Sequence, residues 1–134
     1  MVTPGSTRTP LRSYRELFAW QKSMDLVVAC HEIARTLPAT ERFGLGAQLR
    51  RSAVSIPANM AEGYGRVHRA EYVHHVSIAR GSLKETETHL IIAFRLGYIS
   101  HEQLSRAESL ADEVGRLTTR LLESLQKKGV GRRA

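Results

Sequence analysis

Polar and ionisable side chains recur at helical spacing in the middle of the chain, and these residue types could do chemistry. Asn59 and Glu62 stand three residues apart, which places them one turn apart on a helix. Because an isolated carboxylate is costly in an apolar interior, Glu62 and Glu85 require arginine or amide partners. The pattern predicts a buried polar network that fixes helix register or a subunit interface, and a ligand pocket is the alternative. The predicted members of the network are Gln48, Asn59, Glu62, Ser82, Glu85 and Thr88.

Two other kinds of chemistry depend on the same part of the chain. An enzyme could use Glu62 and Glu85 as an acid–base pair. A metal site could draw on His68, His74 and His75, but adjacent residues such as the last two point about 100° apart on a helix. We therefore expect no catalytic residue, no bound metal and no cofactor.

The segment from Gly63 to Arg66 has a superficial likeness to a phosphate-binding loop. It lacks the preceding strand and the longer glycine spacing that such loops have. The two glycines, Gly63 and Gly65, are therefore predicted to end a helix rather than to hold a phosphate.

Basic residues outnumber acidic ones, and their placement indicates where an anionic partner would bind. The 134 residues include 20 Lys and Arg and 13 Asp and Glu, a formal net charge of +7. The excess lies near the two termini, so the body between Ser13 and Leu125 is almost neutral. Arginines favour bidentate contacts with phosphate, although they could instead pair with acids within and between subunits. The candidate nucleic-acid-binding residues are Arg42, Arg50, Arg51, Arg66, Arg69, Lys127, Lys128, Arg132 and Arg133.

Apolar residues at three-to-four spacing predict four helices and no strand. Pro57 predicts a kink in the second helix, with a break into two helices at Ile56 as the alternative. Ser100 and Gln103 have the spacing of a capping box at the start of the fourth helix. Long amphipathic helices with short connections indicate an all-α, antiparallel up-down-up-down four-helix bundle. The predicted helices span residues 14–37, 40–62, 69–96 and 101–125.

The bundle is predicted to occupy residues 13–126, between a flexible N-terminal arm (residues 1–12) and a basic, flexible C-terminal tail (residues 127–134). No apolar run is long enough to cross a membrane, and no signal peptide is evident, so we expect a cytoplasmic protein without a membrane partner. Cys30, the single cysteine, lies among apolar residues and is expected to be a small buried hydrophobe.

Three segments together resemble one bacterial family: Glu41 to Leu45, Val54 to Arg66 and Ala79 to Leu90. Their ordered combination resembles the four-helix-bundle proteins encoded in 23S rRNA intervening sequences. The resemblance implies a cytoplasmic bundle that assembles as a homopentamer. It also implies a relation to the accessory variability proteins of diversity-generating retroelements, which are basic pentamers that bind nucleic acid and a reverse transcriptase.

Charge and resemblance together favour a non-enzymatic, homo-oligomeric bundle that binds structured RNA or DNA through phosphate contacts. Its expected partners are further copies of itself and a nucleic acid. The alternative is a protein–protein interaction scaffold without intrinsic nucleic-acid binding, in which the arginines hold the oligomer together. The two differ in salt dependence, because phosphate contacts weaken steeply as the salt concentration rises.

Overall fold

Four α-helices make up most of the computed structural model, which describes residues 11–133 and the side-chain surroundings of residues 11–127. This described part of the chain contains no strand. Short 3₁₀ helices at Tyr14–Glu16 and Ala39–Glu41 precede the first and second α-helices. The α-helices are α1, Phe18–Thr36; α2, Leu45–Tyr64; α3, Arg69–Arg95; and α4, His101–Arg133.

The helices pack as a ring in which consecutive helices touch and α4 closes against α1. Short connections make neighbouring helices antiparallel. Burial of apolar side chains between them provides the main stabilisation. Side chains that lose almost all their solvent contact include Leu26, Leu49, Ile56, Leu83 and Val114. A smaller cluster, at the end of the bundle where α3 begins, consists of Val76, Leu122 and Leu125. The predicted all-α four-helix bundle is confirmed.

The turn between α3 and α4 matches the sequence prediction. Gly97 has a φ of +78°, and the amides of Gly97 and Tyr98 donate back to carbonyls in the last turn of α3, as in a Schellman motif. The Gln103 amide donates to Ser100 Oγ at 3.1 Å, and the Ser100 amide donates to Gln103 Oε1 at 2.8 Å. This reciprocal pair confirms the predicted capping box.

The second helix differs from its prediction at its start and is continuous at its proline. It begins at Leu45, because Gly44 is non-helical (φ −101°, ψ −110°) and the Glu41 carboxylate accepts from the Leu45 amide at 3.1 Å. The helix continues through the buried Pro57, so the break considered at Ile56 does not occur. Burial of Pro57 in the core offsets the backbone hydrogen bond that proline removes. A kink at Pro57 stays a prediction.

One predicted helix end is wrong. The fourth helix does not end at Leu125 but continues past Gly129 and Gly131 to Arg133. A glycine weakens a helix by about 1 kcal/mol relative to alanine, which is insufficient by itself to end one. The predicted end of α2 is confirmed at Gly65, which is the C-cap residue, whereas Gly63 is buried within the helix, which runs to Tyr64. Residues 1–10 of the predicted arm lie outside the described residues, and the flexibility of both termini stays a prediction.

Within residues 11–133, no helix combines the length and the apolar character that crossing a bilayer requires.

Candidate nucleic-acid interface

A line of polar side chains follows the contact between α2 and α3, and we call it the α2–α3 seam. Thr86 Oγ1 lies 2.9 Å from Ser52 Oγ, and both residues are buried. Further along, Ser55 Oγ and Ser82 Oγ are 2.8 Å apart. Each of these four hydroxyl groups forms a hydrogen bond with a hydroxyl group of the other helix, which satisfies its hydrogen-bonding requirement. The seam consists of Ser52, Ser55, Asn59 and Glu62 from α2 and His75, Ser82 and Thr86 from α3.

Asn59 and His75 continue the seam toward the C-terminal end of α2. The Asn59 amide nitrogen donates to the Ser55 carbonyl at 2.9 Å and lies 3.0 Å from its hydroxyl. The Asn59 Oδ1 atom is therefore left to accept from His75 Nδ1, 3.1 Å away. The other ring nitrogen, Nε2, is 3.7 Å from the Glu62 carboxylate. His75 thus bridges an amide and a carboxylate of α2.

Glu62 forms the solvent-exposed edge of the seam. An Arg66 guanidinium nitrogen lies 2.5 Å from its carboxylate, and a second Arg66 nitrogen lies 3.6 Å from Glu71. The hydrogen bond from Arg66, followed by the charge of His75, lowers the pKa of Glu62 below its ordinary value. A carboxylate held this way is ionised at neutral pH, so Glu62 is a partner in an ion pair rather than a proton donor.

The seam contains half of the network that the sequence predicts. The predicted residues within it are Asn59, Glu62 and Ser82. Sequence reasoning missed Ser52, Ser55, His75 and Thr86. A signal was available for the hydroxyl residues, because Ser52 and Ser55 stand at i, i+3 and Ser82 and Thr86 at i, i+4, each pair sharing a helix face.

The other predicted network members lie outside the seam. Thr88 Oγ1 donates to the carbonyl of Lys84 in its own helix at 2.8 Å. Gln48 is exposed and accepts from Arg51. Glu85 is exposed on α3. These three side chains therefore bond locally or face solvent, and they do not join α2 to α3.

The two carboxylates considered as an acid–base pair are far apart. Glu62 contacts His75, whereas Glu85 stands ten residues further along the same helix as His75. Ten residues of α-helix span about 15 Å. General acid–base catalysis needs both groups within hydrogen-bond reach of one substrate, so this arrangement does not provide a pair.

His89 lies one helical turn beyond Thr86 on α3. Both of its ring nitrogens are shielded from solvent and have no hydrogen-bond partner among the described residues. Burial lowers the pKa of the His89 ring, with Arg51 adding to the decrease and Glu85 opposing it. The ring is therefore held neutral at physiological pH.

The histidines considered for metal binding do not gather ligands. Within residues 11–133, no group of three His, Cys, Asp or Glu side chains is placed to hold a metal ion. Glu71 and His74 have the Glu-x-x-His spacing used in bundle di-metal sites, a spacing that our sequence reasoning overlooked. The Glu71 carboxylate contacts Arg66 instead.

The five candidate arginines of the body do not form one cluster. Arg42 and Arg50 lie near the start of α2, where an Arg50 guanidinium nitrogen donates to the Arg42 carbonyl at 3.1 Å. Arg51 follows on the same part of the helix. Arg66 and Arg69 lie beyond the other end of α2. Sixteen residues separate Arg50 from Arg66, about 24 Å of helix, so the two groups belong to opposite ends of the bundle.

Three segments that are distant in sequence meet at the end of the bundle where α3 begins. The Tyr64 hydroxyl donates to the Leu11 carbonyl at 3.0 Å, which ties the N-terminal segment to the end of α2. A cavity of about 510 Å³ lies between them and α4, and Leu125 is in its wall. We call this end the basic pole. The basic residues in the cavity wall are Arg66, His68 and Arg69. Arg12 and Lys127 follow the wall residues Leu11 and Leu125 by one and two positions, and α4 continues through Lys128, Arg132 and Arg133.

The charges of the basic pole are only partly neutralised. Glu62 and Glu71 both contact Arg66. Among the residues that the structure describes, Arg69 and Lys127 form no ion pair. A third carboxylate, that of Glu16, accepts from the Arg12 amide at the same end. Most of the excess positive charge of the pole therefore comes from the basic residues that follow along α4.

A second mixed-charge cleft, which sequence reasoning did not identify, lies between α3 and α4. Its volume is about 500 Å³, and small residues such as Gly115 form part of its wall. The four basic residues along it are Arg80, Lys84, Arg116 and Arg120. The three acidic residues beside them are Glu87, Asp112 and Glu123. The charges of this cleft nearly balance, and no run of further basic residues extends from it as Lys128, Arg132 and Arg133 extend from the basic pole.

Fold and site together define a helical-bundle protein with a structural polar seam and a positively charged end. The chain belongs to the 23S rRNA-intervening sequence protein family, whose model matches residues 15–120. The resemblance seen in the sequence is thereby confirmed. The description of this family names no catalytic activity, and the description of a similar solved structure names none.

One similar solved structure is a crystal structure of a protein of unknown function from the S23 ribosomal protein family of Bacteroides thetaiotaomicron. It is 27% identical, with a TM-score of 0.73, and the match covers 78% of this chain and 97% of that chain. No curated protein matches the chain. The comparison therefore supports the fold and the family.

Proposed function

We propose that this protein is a non-enzymatic, cytoplasmic, homo-oligomeric bundle that binds structured RNA or DNA through phosphate contacts at its basic pole. One observation carries the proposal: the N-terminal segment, the turn between α2 and α3, and the end of α4 converge at the same end of the bundle. Their basic residues act together there, although the body is almost neutral in sequence.

Phosphate binding fits the chemistry of this end. Arg69 and Lys127 are not paired with carboxylates among the described residues, so a phosphate oxygen can approach without displacing an acid. Four basic residues follow Leu125 along the last turns of α4. Contacts of this kind release counterions from the nucleic acid, which makes the affinity depend steeply on salt.

Exposed apolar side chains support the self-association in this proposal. They occur on three helices and include Phe18 and Val28 on α1, Val54 on α2, and Ile78 and Ile92 on α3. Isolated exposed apolar residues are ordinary, but several on adjacent helices favour a protein contact. A ring of subunits would repeat the basic pole and multiply its attraction for a polyanion.

The same apolar residues favour the second candidate function, a protein–protein interaction scaffold. In that case the exposed residues of α2 and α3 would contact a different protein, and the arginines would pair with acids across the interface. The two functions differ in whether the purified protein binds nucleic acid by itself.

The experiment measures fluorescence anisotropy of a labelled RNA hairpin and a labelled DNA duplex with the full chain. Salt is varied from about 50 to 200 mM. One variant removes two charges from the pole, Arg69→Gln with Lys127→Gln. The matched control removes two from the opposite end, Arg42→Gln with Arg50→Gln.

The pole variant is expected to weaken binding to both nucleic acids and to reduce the slope of log affinity against log salt by about 1 to 2. The control variant is expected to bind nearly as the natural chain does. Equal losses in the two variants would contradict the placement at the pole. Absence of binding at the lowest salt would exclude nucleic-acid binding and leave the scaffold.

A further inference from the structure

We infer that the cavity of the basic pole is a site for one unpaired nucleotide, with a phosphate held by Arg69 and the base held among Tyr64, Tyr72 and apolar side chains. The inference rests on the proposed nucleic-acid function and specifies it, because it separates unpaired from duplex nucleic acid. Phosphate binding at the pole requires only surface charge, whereas binding of one nucleotide requires the concave site as well.

The cavity has the composition of a site for a planar, amphipathic ligand. Tyr64 and Tyr72 both line it, with ring centroids 6.0 Å apart and planes at 84°. Apolar side chains from three segments complete the wall, namely Leu11, Leu17, Val67, Leu121 and Leu125. Its volume of about 510 Å³ lies within the usual range of small-ligand pockets, about 300 to 1,000 Å³.

Among the residues that the structure describes, the guanidinium of Arg69 in the cavity wall forms no ion pair. Arg66 also lines the cavity, but its guanidinium already contacts Glu62 and Glu71. The Nε atom of Arg69 is shielded from solvent and has no hydrogen-bond acceptor among the described residues. A buried donor without an acceptor is unfavourable, so a ligand oxygen that accepts from it would be stabilising. Phosphate accepts two parallel hydrogen bonds from a guanidinium, so it fits this need.

The start of α3 adds positive potential at the same place. His68 is the N-cap of this 27-residue helix and makes no side-chain capping bond. The first amide groups of the helix are therefore left without a side-chain acceptor, and the helix dipole favours an anion beside them. Because His68 and Arg69 both line the cavity, the dipole acts on the same ligand as the guanidinium.

The rings of Tyr64 and Tyr72 lie in the wall of a cavity, and this position favours binding of an unpaired nucleotide over a paired one. Tyr72 is half-buried in the cavity wall, and burial together with the nearby Tyr64 raises its pKa to about 12. A base stacked within a duplex cannot enter a concave site, whereas an unpaired base can leave its neighbours and pack on aromatic side chains. Duplex nucleic acid would reach only the charges around the opening.

The test compares two RNAs of equal phosphate number under the same salt, using the full chain. One is a hairpin with a loop of unpaired nucleotides and the other is a blunt, fully paired duplex. The natural chain is expected to bind the hairpin about 10-fold more tightly, from the typical contribution of base stacking on an aromatic side chain. Tyr64→Leu is expected to remove this preference while leaving duplex affinity within about 2-fold, since it changes no charge.

Arg69→Lys keeps the charge but removes the planar guanidinium. It is expected to reduce the hairpin preference and to leave duplex binding nearly unchanged. The matched control is Arg80→Gln, which removes a charge from α3 outside the pole and is expected to keep the preference. Circular dichroism melts of all variants establish that each is folded.

A second measurement does not depend on any variant. Uridine monophosphate is titrated into the full chain and followed by NMR, and the expected shifts are confined to Tyr64, Tyr72, His68 and Arg69. Equal affinity for hairpin and duplex, or shifts elsewhere, would overturn the nucleotide site while the proposed function stands. If neither RNA binds at low salt, the proposed function fails as well.

Discussion

Gly63 on α2 lies directly against His75 on α3. A Cβ atom added at Gly63 would stand 2.8 Å from the His75 Cβ, 3.1 Å from Tyr72 Cδ1 and 3.2 Å from the Tyr72 carbonyl oxygen. Carbon atoms do not approach one another so closely, and the Tyr72 carbonyl belongs to a helix backbone that moves only as a unit. The missing side chain of Gly63 therefore sets the distance between α2 and α3 where Asn59 meets His75.

Replacement of Gly63 with alanine is expected to destabilise the protein by about 1 to 3 kcal/mol, the usual effect of overpacking a close contact. Chemical denaturation measures the change. The matched control is Gly81→Ala, because an added Cβ there meets nothing within 4 Å and alanine favours a helix. The control is expected to stabilise by about 0.5 to 1 kcal/mol. Similar stabilisation in both variants would show that Gly63 is not a contact residue.

Thr86→Val, which keeps the side-chain shape, is expected to cost about 1 kcal/mol through loss of the hydroxyl contact with Ser52. Ser52→Ala removes the other member of that contact. The double variant is expected to lose less stability than the two single variants together, because the second substitution has no interhelical bond left to break. Urea unfolding of the four proteins measures the coupling, and additive losses would mean that the hydroxyl groups do not interact.

Protonation of Glu62 is expected to reduce the stability of the protein in acid. Its pKa is lowered in the folded state, first by the Arg66 hydrogen bond, so the folded protein favours the ionised form more than the unfolded chain does. The resulting stabilisation is present above the ordinary value of 4.5 and is lost as the pH falls through the lower, folded-state pKa. Unfolding free energies of the natural chain and Glu62→Gln, measured from neutral pH to about pH 3, are therefore expected to converge in acid.

The control for this pH effect is Glu123→Gln, which removes an exposed carboxylate that forms no ion pair within the described residues. Its difference from the natural chain is expected to change less with pH than that of Glu62→Gln. Identical pH profiles for the two variants would rule out a special contribution from Glu62.

Cys30 is expected to resist alkylation while the protein is folded. Burial raises the pKa of its thiol to about 12, so the reactive thiolate is scarce, and the side chain has no exposed surface. Iodoacetamide should modify it quickly in denaturant and only at the rate of unfolding in native buffer. Mass spectrometry of timed samples follows the reaction. Rapid labelling of the native protein would contradict the buried position.

The positions of the helices could be predicted because their signals are local. The third helix was expected at residues 69–96 and occupies Arg69–Arg95, and the Ser100–Gln103 capping box forms as its spacing indicates. Both depend on side chains within a few residues of one another. The buried faces are local in the same sense, since Leu26, Leu49 and Leu83 belong to rows of apolar residues at three-to-four spacing and all lie in the core.

The sequence alone determined that this chain forms amphipathic helices, carries its excess charge near its termini and belongs in a four-helix bundle. The tertiary structure decided which polar groups meet and where the basic segments gather. Asn59 and His75 become partners only through the rotation and separation of two whole helices, which depend on packing around Gly63. The basic pole likewise exists only because antiparallel packing brings the start of α1, the turn before α3 and the end of α4 to one end, a relationship that local spacing does not contain.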